Sequence, residues 1–364
     1  MKDKESRLVN PIAGLTRRSF VANMIGASTI LLLVHRYAFS KEQPHPDVKT
    51  LFLTEGKFKV NHNWTDSEAM LRISDFGHKL KILHLSDTHL TCSNESDIPF
   101  RKYGKRMDDG YKTTKHYATK KITTPLECFR NAMNMAQTEK VDMIILTGDT
   151  VNNPSMTSVT TVSDELKKTG IPYIYIAGNH DWHYEGMAGT ANELRENWRK
   201  KRLHPLYKSK SLSHFAVVKK GVNFIAIDNS TYQVNEQQLK FYEKQIALGL
   251  PSVLLVHIPV CLTSFPSRIT CGHPDWGNKT DRNYKIERRQ KWPEEGNLKS
   301  TMDFVKTVSS SKNLIAVLCG HTHKPRADRI NPLAFKEIIS PSAMQYVVRA
   351  GAVGGYRLVY FEGL

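Results

Sequence analysis

The sequence predicts an α/β protein with largely buried strands, and three observations carry that prediction. From residue 80 onward one theme repeats: a short apolar, β-branched run, then a polar loop, then a helix-like stretch. The runs are nearly continuous in apolar character, as strands covered on both faces must be. Almost every run ends in a residue that binds hard or borderline metal ions, and ligands of open α/β sheets bind outside the carboxyl ends of the strands.

The N-terminal residues 1–40 read as an export signal. Thr16-Arg17-Arg18-Ser19-Phe20 precedes an apolar run over residues 21–34, and Ala38-Phe39-Ser40 offers a signal-peptidase site. The pattern resembles a twin-arginine signal, which implies a translocase partner, cleavage and a periplasmic or otherwise exported mature protein. His35 and Arg36 close the apolar run short of the roughly 20 residues that a spanning helix needs. Residues 41–79 read as an N-terminal extension and residues 80–364 as the functional domain.

Within that domain the strand candidates are residues 81–86, 142–147, 172–177, 223–228, 252–257 and 314–319. Helical stretches fall at 126–138, 163–168 and 236–248, the last with Leu239, Tyr242 and Ile246 near helical spacing. A further helix begins near Ala191, and Arg199-Lys200-Lys201-Arg202 reads as its solvated end. Residues 335–339, 346–348 and 356–361 read as strands of a sheet edge or a closing hairpin.

Two polar segments, 91–124 and 262–299, interrupt the rhythm and lack clear periodicity. The first is rich in Lys and Arg; the second mixes Arg268, Arg282, Arg288 and Arg289 with Trp276 and Trp292. Loops of this length in a compact domain are functional or disordered, and both follow a strand end that carries ligand candidates, so they read as lids.

Those strand ends are Asp87-Thr88-His89, Gly148-Asp149, Gly178-Asn179-His180-Asp181, His257 and Gly320-His321-Thr322-His323. A lone His is more often a satisfied core residue than a ligand, and Gly-Asp alone is merely a turn. Five sets in this order, each after an apolar run, point N and O donors at one crevice. Gly148, Gly178 and Gly320 permit the tight turns that aim the next side chain back into it.

This ordered set resembles the calcineurin-like metallophosphoesterases, over residues 81 to the C-terminus. Asp228, followed by Gln237, Gln238, Leu239 and Tyr242, is more loosely similar to the cyclic-nucleotide phosphodiesterase and purple-acid-phosphatase-like branches. The resemblance implies a four-layer α/β/β/α sandwich of two facing mixed sheets with a dinuclear metal site at the strand ends. It also implies that Asp87, His89 and His323 hold one metal, that Asn179, His257 and His321 hold the other, and that Asp149 bridges them. His180 is the implied catalytic imidazole beside the substrate. The loop after Gly148-Asp149 reads Thr150-Val151-Asn152-Asn153, without the Asp-Arg pair of the phosphoprotein phosphatases, which argues against that branch.

The residue types suit this chemistry. Paired cations need a bridging carboxylate such as Asp149, and mixed imidazole, amide and carboxylate donors suit Mn, Fe or Zn. The expected reaction is attack of a metal-bridging hydroxide on a phosphodiester or phosphomonoester, with His180 as general acid. Folding before twin-arginine export favours Mn or Fe over Zn, because metals then load where the cell controls their supply. Asp181 reads as a turn or cap residue.

Composition bounds the partners. With 40% hydrophobic and 24% charged residues the chain is neither disordered nor fibrous, and its net charge of +17 attracts anions. A small phosphoester is the leading substrate; nucleic acid or anionic lipid, hence a nuclease or phospholipid-headgroup phosphodiesterase, is the alternative. A non-catalytic metal- or anion-binding module is the reading from another class. Cys261 and Cys271 are near enough in sequence to be bridged, whereas Cys319 reads as a buried thiol. His183 reads as a surface residue, with a substrate contact as the alternative; His273 and Asp275 lie in the second lid within reach of the site and are given no role there, and the substrate-binding residues are unassigned.

Overall fold

The computed structural model describes residues 47–208, 210–277 and 296–364. The export signal lies outside the described residues, as do Arg282, Arg288, Arg289 and Trp292 of the second insertion. Lys49–Leu364 form one compact unit.

The six apolar runs fold as strands within two residues of the expected bounds. In chain order the strands are β1 Lys49–Leu53, β2 Val60–Trp64, β3 Glu68–Ile73, β4 Leu80–Leu85, β5 Thr114–Lys115, β6 Ile122–Thr123, β7 Met143–Thr147 and β8 Tyr173–Ile176. They continue as β9 His214–Lys219, β10 Val222–Ile227, β11 Ser252–Leu255, β12 Leu314–Cys319, β13 Arg326–Arg329, β14 Met344–Val347 and β15 Arg357–Gly363. Among the described residues the α-helices of eight or more residues are α1 Arg101–Tyr111, α2 Pro125–Thr138, α3 Met156–Thr169, α4 Ala191–Trp198, α5 Glu236–Ile246 and α6 Lys299–Ser310. Local chemistry sets several ends. Thr124 with Glu127 and Asn235 with Gln238 form capping boxes that start α2 and α5, and Gly170 at φ 67° stops α3.

Among the described residues two mixed sheets form the frame, in the orders β1-β2-β3-β15-β4-β7-β8 and β13-β14-β12-β11-β10-β9. The strands that carry the donor motifs run parallel: β4 with β7, β7 with β8, and β11 with β12. Their carboxyl ends therefore open on one rim. The sheets face each other: Phe224 of β10 meets Phe361 of β15 edge-on at 6.0 Å, and His62 of β2 bonds the Tyr346 hydroxyl of β14 at 2.9 Å.

The two-residue period of the strands then separates the layers. Phe224, Ala226, Val253, Leu255, Ala316 and Leu318 point between the sheets, while their neighbours Ile225, Ile227, Leu254, Val256 and Val317 pack with Tyr242 of α5 and Phe304 and Val308 of α6. Phe129 and Met133 of α2 and Val159, Val162 and Leu166 of α3 pack on the first sheet. The result is a four-layer α/β/β/α sandwich of two mixed sheets.

Several expectations need correction. Residues 49–73, read as an extension, contribute three strands to the first sheet, because β3 pairs with the C-terminal β15. Neither β14 nor β15 is an edge: β15 lies between β3 and β4, and β14 between β12 and β13, although β14 does pair antiparallel with β13, the strand before it. Residues 335–339 form turns instead of a strand; the Asn331 amide holds the Lys336 and Ile338 carbonyls at 2.8 and 2.9 Å and takes them from any ladder. The first insertion, read as aperiodic, contains α1. Arg199 is buried, not solvated, because its guanidinium pairs with the buried Asp228 at 2.6 Å. Cys261 and Cys271 are adjacent buried free thiols, and Cys319 is a buried thiol as expected.

Candidate metal centre

Each donor sits where a parallel strand gives way to a tight loop. Asp87, His89, Asp149, His321 and His323 all adopt left-handed backbone conformations, at φ 55°, 45°, 48°, 69° and 62°. Such conformations cost on the order of 1 kcal/mol or more for a residue with a β-carbon, so surrounding bonds must hold them. They do: the His321 N–H donates to both Asp87 carboxylate oxygens, at 3.0 and 2.9 Å, and the His89 N–H to the Asp149 carbonyl at 2.9 Å. The glycines leave the room this packing needs. A β-carbon on Gly178 would lie 2.2 Å from Asp149 Oδ1, and one on Gly320 would lie 1.9 Å from Ser86 Oγ.

Three donor groups result, each with ligand atoms within 4.8 Å of one another: Asp87, His89 and His323; Asp149, His257 and His321; and His89, Asp149 and His180. Asn179 joins the second through its Oδ1, 3.1 Å from His257 Nε2. Asp149 lies between the groups, with Oδ2 3.3 Å from His257 Nε2 and 3.9 Å from His89 Nε2. All seven residues predicted as metal ligands are thus brought together, and His180 stands beside them. Its N–H donates to Asp149 Oδ1 at 2.8 Å, and its ring meets that of His89 edge-on at 4.7 Å.

The donor set fits cations better than it fits itself. His89 Nε2 and His323 Nε2 face each other at 3.2 Å, an approach that two lone pairs resist unless a proton or cation lies between them. Burial disfavours charge on His257, yet the adjoining Asp149 carboxylate outweighs that and raises it to about 9. Burial likewise opposes ionisation of Asp149, but the imidazoles of His257, His180 and His89 hold it well below the usual carboxylate range. Burial and the neighbouring His180 push His89 far down, so it stays neutral with a lone pair to donate. His257 Nδ1 faces the Thr147 carbonyl at 2.7 Å, an arrangement that turns Nε2 toward the other donors as the nitrogen that could ligate an ion.

Neighbouring expectations divide. Asp181 accepts the Val151 and Gly178 N–H groups at 2.8 and 2.7 Å, so it ties two donor loops together as a turn residue. His183 is buried rather than at the surface, and His273 is buried as well. Asp275 is half exposed.

Two aromatic residues about the donors had no local signal in the sequence. Tyr111, at the end of α1, stacks on His89 at 4.2 Å and 19° between planes. The Tyr232 hydroxyl lies 2.7 Å from His321 Nε2. Both contacts join segments far apart in the chain, and no short-range periodicity encodes them. The first insertion is also anchored by Asp108, which accepts the Asn153 amide at 2.6 Å, and by the Arg106–Glu185 ion pair.

The family model of the calcineurin-like phosphoesterases matches residues 80–325, most of the chain and every donor named above. The chain belongs to the calcineurin-like phosphoesterase family. Its family domain is that of a metal-dependent phosphoester hydrolase with a dinuclear metal site. A probable cyclic nucleotide phosphodiesterase of Fibrobacter succinogenes is 24% identical over 196 residues, covering 54% of this chain and 62% of that protein. The chain therefore spans somewhat under two thirds of that relative. A probable cyclic nucleotide phosphodiesterase of Moraxella catarrhalis is 24% identical over 251 residues, 68% of this chain and 72% of that protein. A dimetal phosphatase from Danio rerio aligns in structure with 11% identity and a TM-score of 0.47, covering 78% of this chain and 93% of that one.

Proposed function

We propose that the protein is an exported phosphodiesterase acting on a small phosphodiester through a dinuclear metal centre. One observation carries the reading: two donor groups converge on the shared carboxylate of Asp149, with the His180 imidazole beside them. Asp87, His89 and His323 would hold one ion, Asn179, His257 and His321 the other, and Asp149 both. Mn, Fe or Zn bound there would supply Lewis acidity, lowering the pKa of a water and polarising the phosphoryl oxygens. Asp149 offsets the repulsion between the cations. His180, fixed by its own N–H on Asp149, donates a hydrogen bond to a phosphoryl oxygen and passes a proton to the departing alkoxide, a role worth roughly 10² to 10⁴ fold. Tyr111 covers the His89 side, and the basic first insertion that carries it draws anions toward the rim as a lid.

A diester is favoured over a monoester by the two relatives described as probable cyclic nucleotide phosphodiesterases. Export rests on Thr16-Arg17-Arg18-Ser19-Phe20 and the apolar run after it, with the twin-arginine translocase as partner, and pre-export folding favours Mn or Fe. Hydrolysis of bis-p-nitrophenyl phosphate and p-nitrophenyl phosphate by metal-loaded protein tests the reading, beside Asp149→Asn and His180→Ala. Diester turnover lost in both variants supports it. Preference for the monoester redirects it to a phosphatase, and silence with both substrates despite two bound metals points to a strict lid-gated specificity or to the non-catalytic module.

A further inference from the structure

The two donor groups differ in how their imidazoles are held. His89, in the first, packs under the Tyr111 ring, and its buried Nδ1 meets no hydrogen-bond partner among the described residues. In the second, His257 is fixed by the Thr147 carbonyl at Nδ1 and by Asn229, whose Oδ1 accepts the His257 and Ile258 N–H groups at 3.1 and 3.0 Å. His321 is fixed by Tyr232, with the hydroxyl 2.7 Å from Nε2 and the rings edge-on at 5.4 Å. One segment, residues 229–232, thus holds the backbone of His257 through Asn229 and the imidazole of His321 through Tyr232.

Tyr232 is placed at some conformational expense. It is fully buried and adopts φ 66°, a left-handed conformation that a bulky side chain rarely takes. Its N–H donates to the Asn229 carbonyl at 2.7 Å, its own carbonyl accepts the Cys271 thiol at 3.2 Å, and its ring lies 6.1 Å from that of Trp276. Strain retained beside a functional group signals a constraint on that group.

We infer that Tyr232 is a positioning residue that fixes His321 with Nε2–H donating to the phenol oxygen and Nδ1 presented to the second metal. This rests on the dinuclear reading above. A neutral imidazole has one N–H and one lone pair, so engagement of Nε2 by the phenol assigns the ligating lone pair to Nδ1. The same bond orients the ring and raises its basicity toward a cation. The second group is therefore the more fully preorganised of the two, and the loss of one hydroxyl selectively weakens it.

Tyr232→Phe removes that oxygen and keeps the ring. Competition titration of metal-free protein with Zn²⁺ against a chromophoric chelator is expected to show one site at wild-type affinity and one weakened about 10 to 100 fold. The melting temperature of the metal-free variant is expected to stay within a few degrees of wild type. In Zn²⁺-loaded wild-type protein, ring-nitrogen NMR is expected to show His321 protonated at Nε2 and metal-bound at Nδ1. Two wild-type affinities in the variant, an equal loss at both sites with a destabilised metal-free fold, or coordination through Nε2 would each overturn the inference. Wild-type protein that binds no metal would instead overturn the dinuclear reading itself.

Discussion

Gly178→Ala should disable the centre without unfolding the protein. Gly178 begins the loop that delivers Asn179 and His180, and a β-carbon there would lie 2.2 Å from Asp149 Oδ1 and 2.3 Å from the Asp149 backbone nitrogen. Ordinary contact begins at 3.4 Å, so the two loops must separate by 3.4 minus 2.2, about 1.2 Å. One of the obstructing atoms is backbone, which cannot rotate away. The shared carboxylate and the His180 imidazole move apart by a distance that typically costs a reaction about 10² fold. Overpacking of this kind destabilises by about 1 to 3 kcal/mol, short of global unfolding for a domain this size. The assay pairs turnover of bis-p-nitrophenyl phosphate with metal content and a melting curve. Gly77→Ala is the control, since nothing lies within 4 Å of its added carbon. Wild-type turnover and full metal content in Gly178→Ala would refute the packing argument.

Two further variants test the frame. Glu68 is buried in β3, and burial, then the charge of Glu139, raises its carboxyl from 4.5 to about 7 despite Lys81 and Tyr360. The folded state holds this proton where the unfolded state has lost it, so the group costs stability as pH rises from 4.5 through 7. Glu68→Gln should therefore match wild type near pH 4.5 and exceed it by up to about 3 kcal/mol at pH 8 in urea denaturation; an equal difference at both pH values would contradict the assignment. Asp228→Ala strands the buried Arg199 guanidinium, whose bond to Asp228 is 2.6 Å, and should destabilise the fold by about 3 to 5 kcal/mol in the same measurement. A loss under 1 kcal/mol would mean that Glu196 and the Leu212 carbonyl suffice for Arg199.

What the sequence made legible follows from which forces are local. Strands covered on both faces must be apolar throughout, so β4, β7, β10, β11 and β12 stand out as runs. Donors that follow such strands within two to four residues are legible for the same reason. The helix α1 is hidden because most of its surface is solvated: Gly104 and Met107 are its buried residues, and the Lys and Arg between them give no clear apolar stripe. The strands β1 to β3 pair with one another as neighbours, and only β3 joins them to the rest of the sheet, through the C-terminal β15, a pairing across the whole chain that has no local signature. Tyr111 and Tyr232 were invisible for that reason too. Arg199 sat in a run of basic residues, and only the three-dimensional position of Asp228 sets it apart from Lys200 and Lys201.

The central claim is that Asp87, His89 and His323 on one side and Asn179, His257 and His321 on the other hold two ions that share Asp149. Anomalous diffraction from metal-loaded crystals, collected at the absorption edge of the bound element, tests it most directly. Two peaks about 3.5 to 4 Å apart, flanking the Asp149 carboxylate, are predicted. A single peak, or ions bound away from Asp149, would contradict the account.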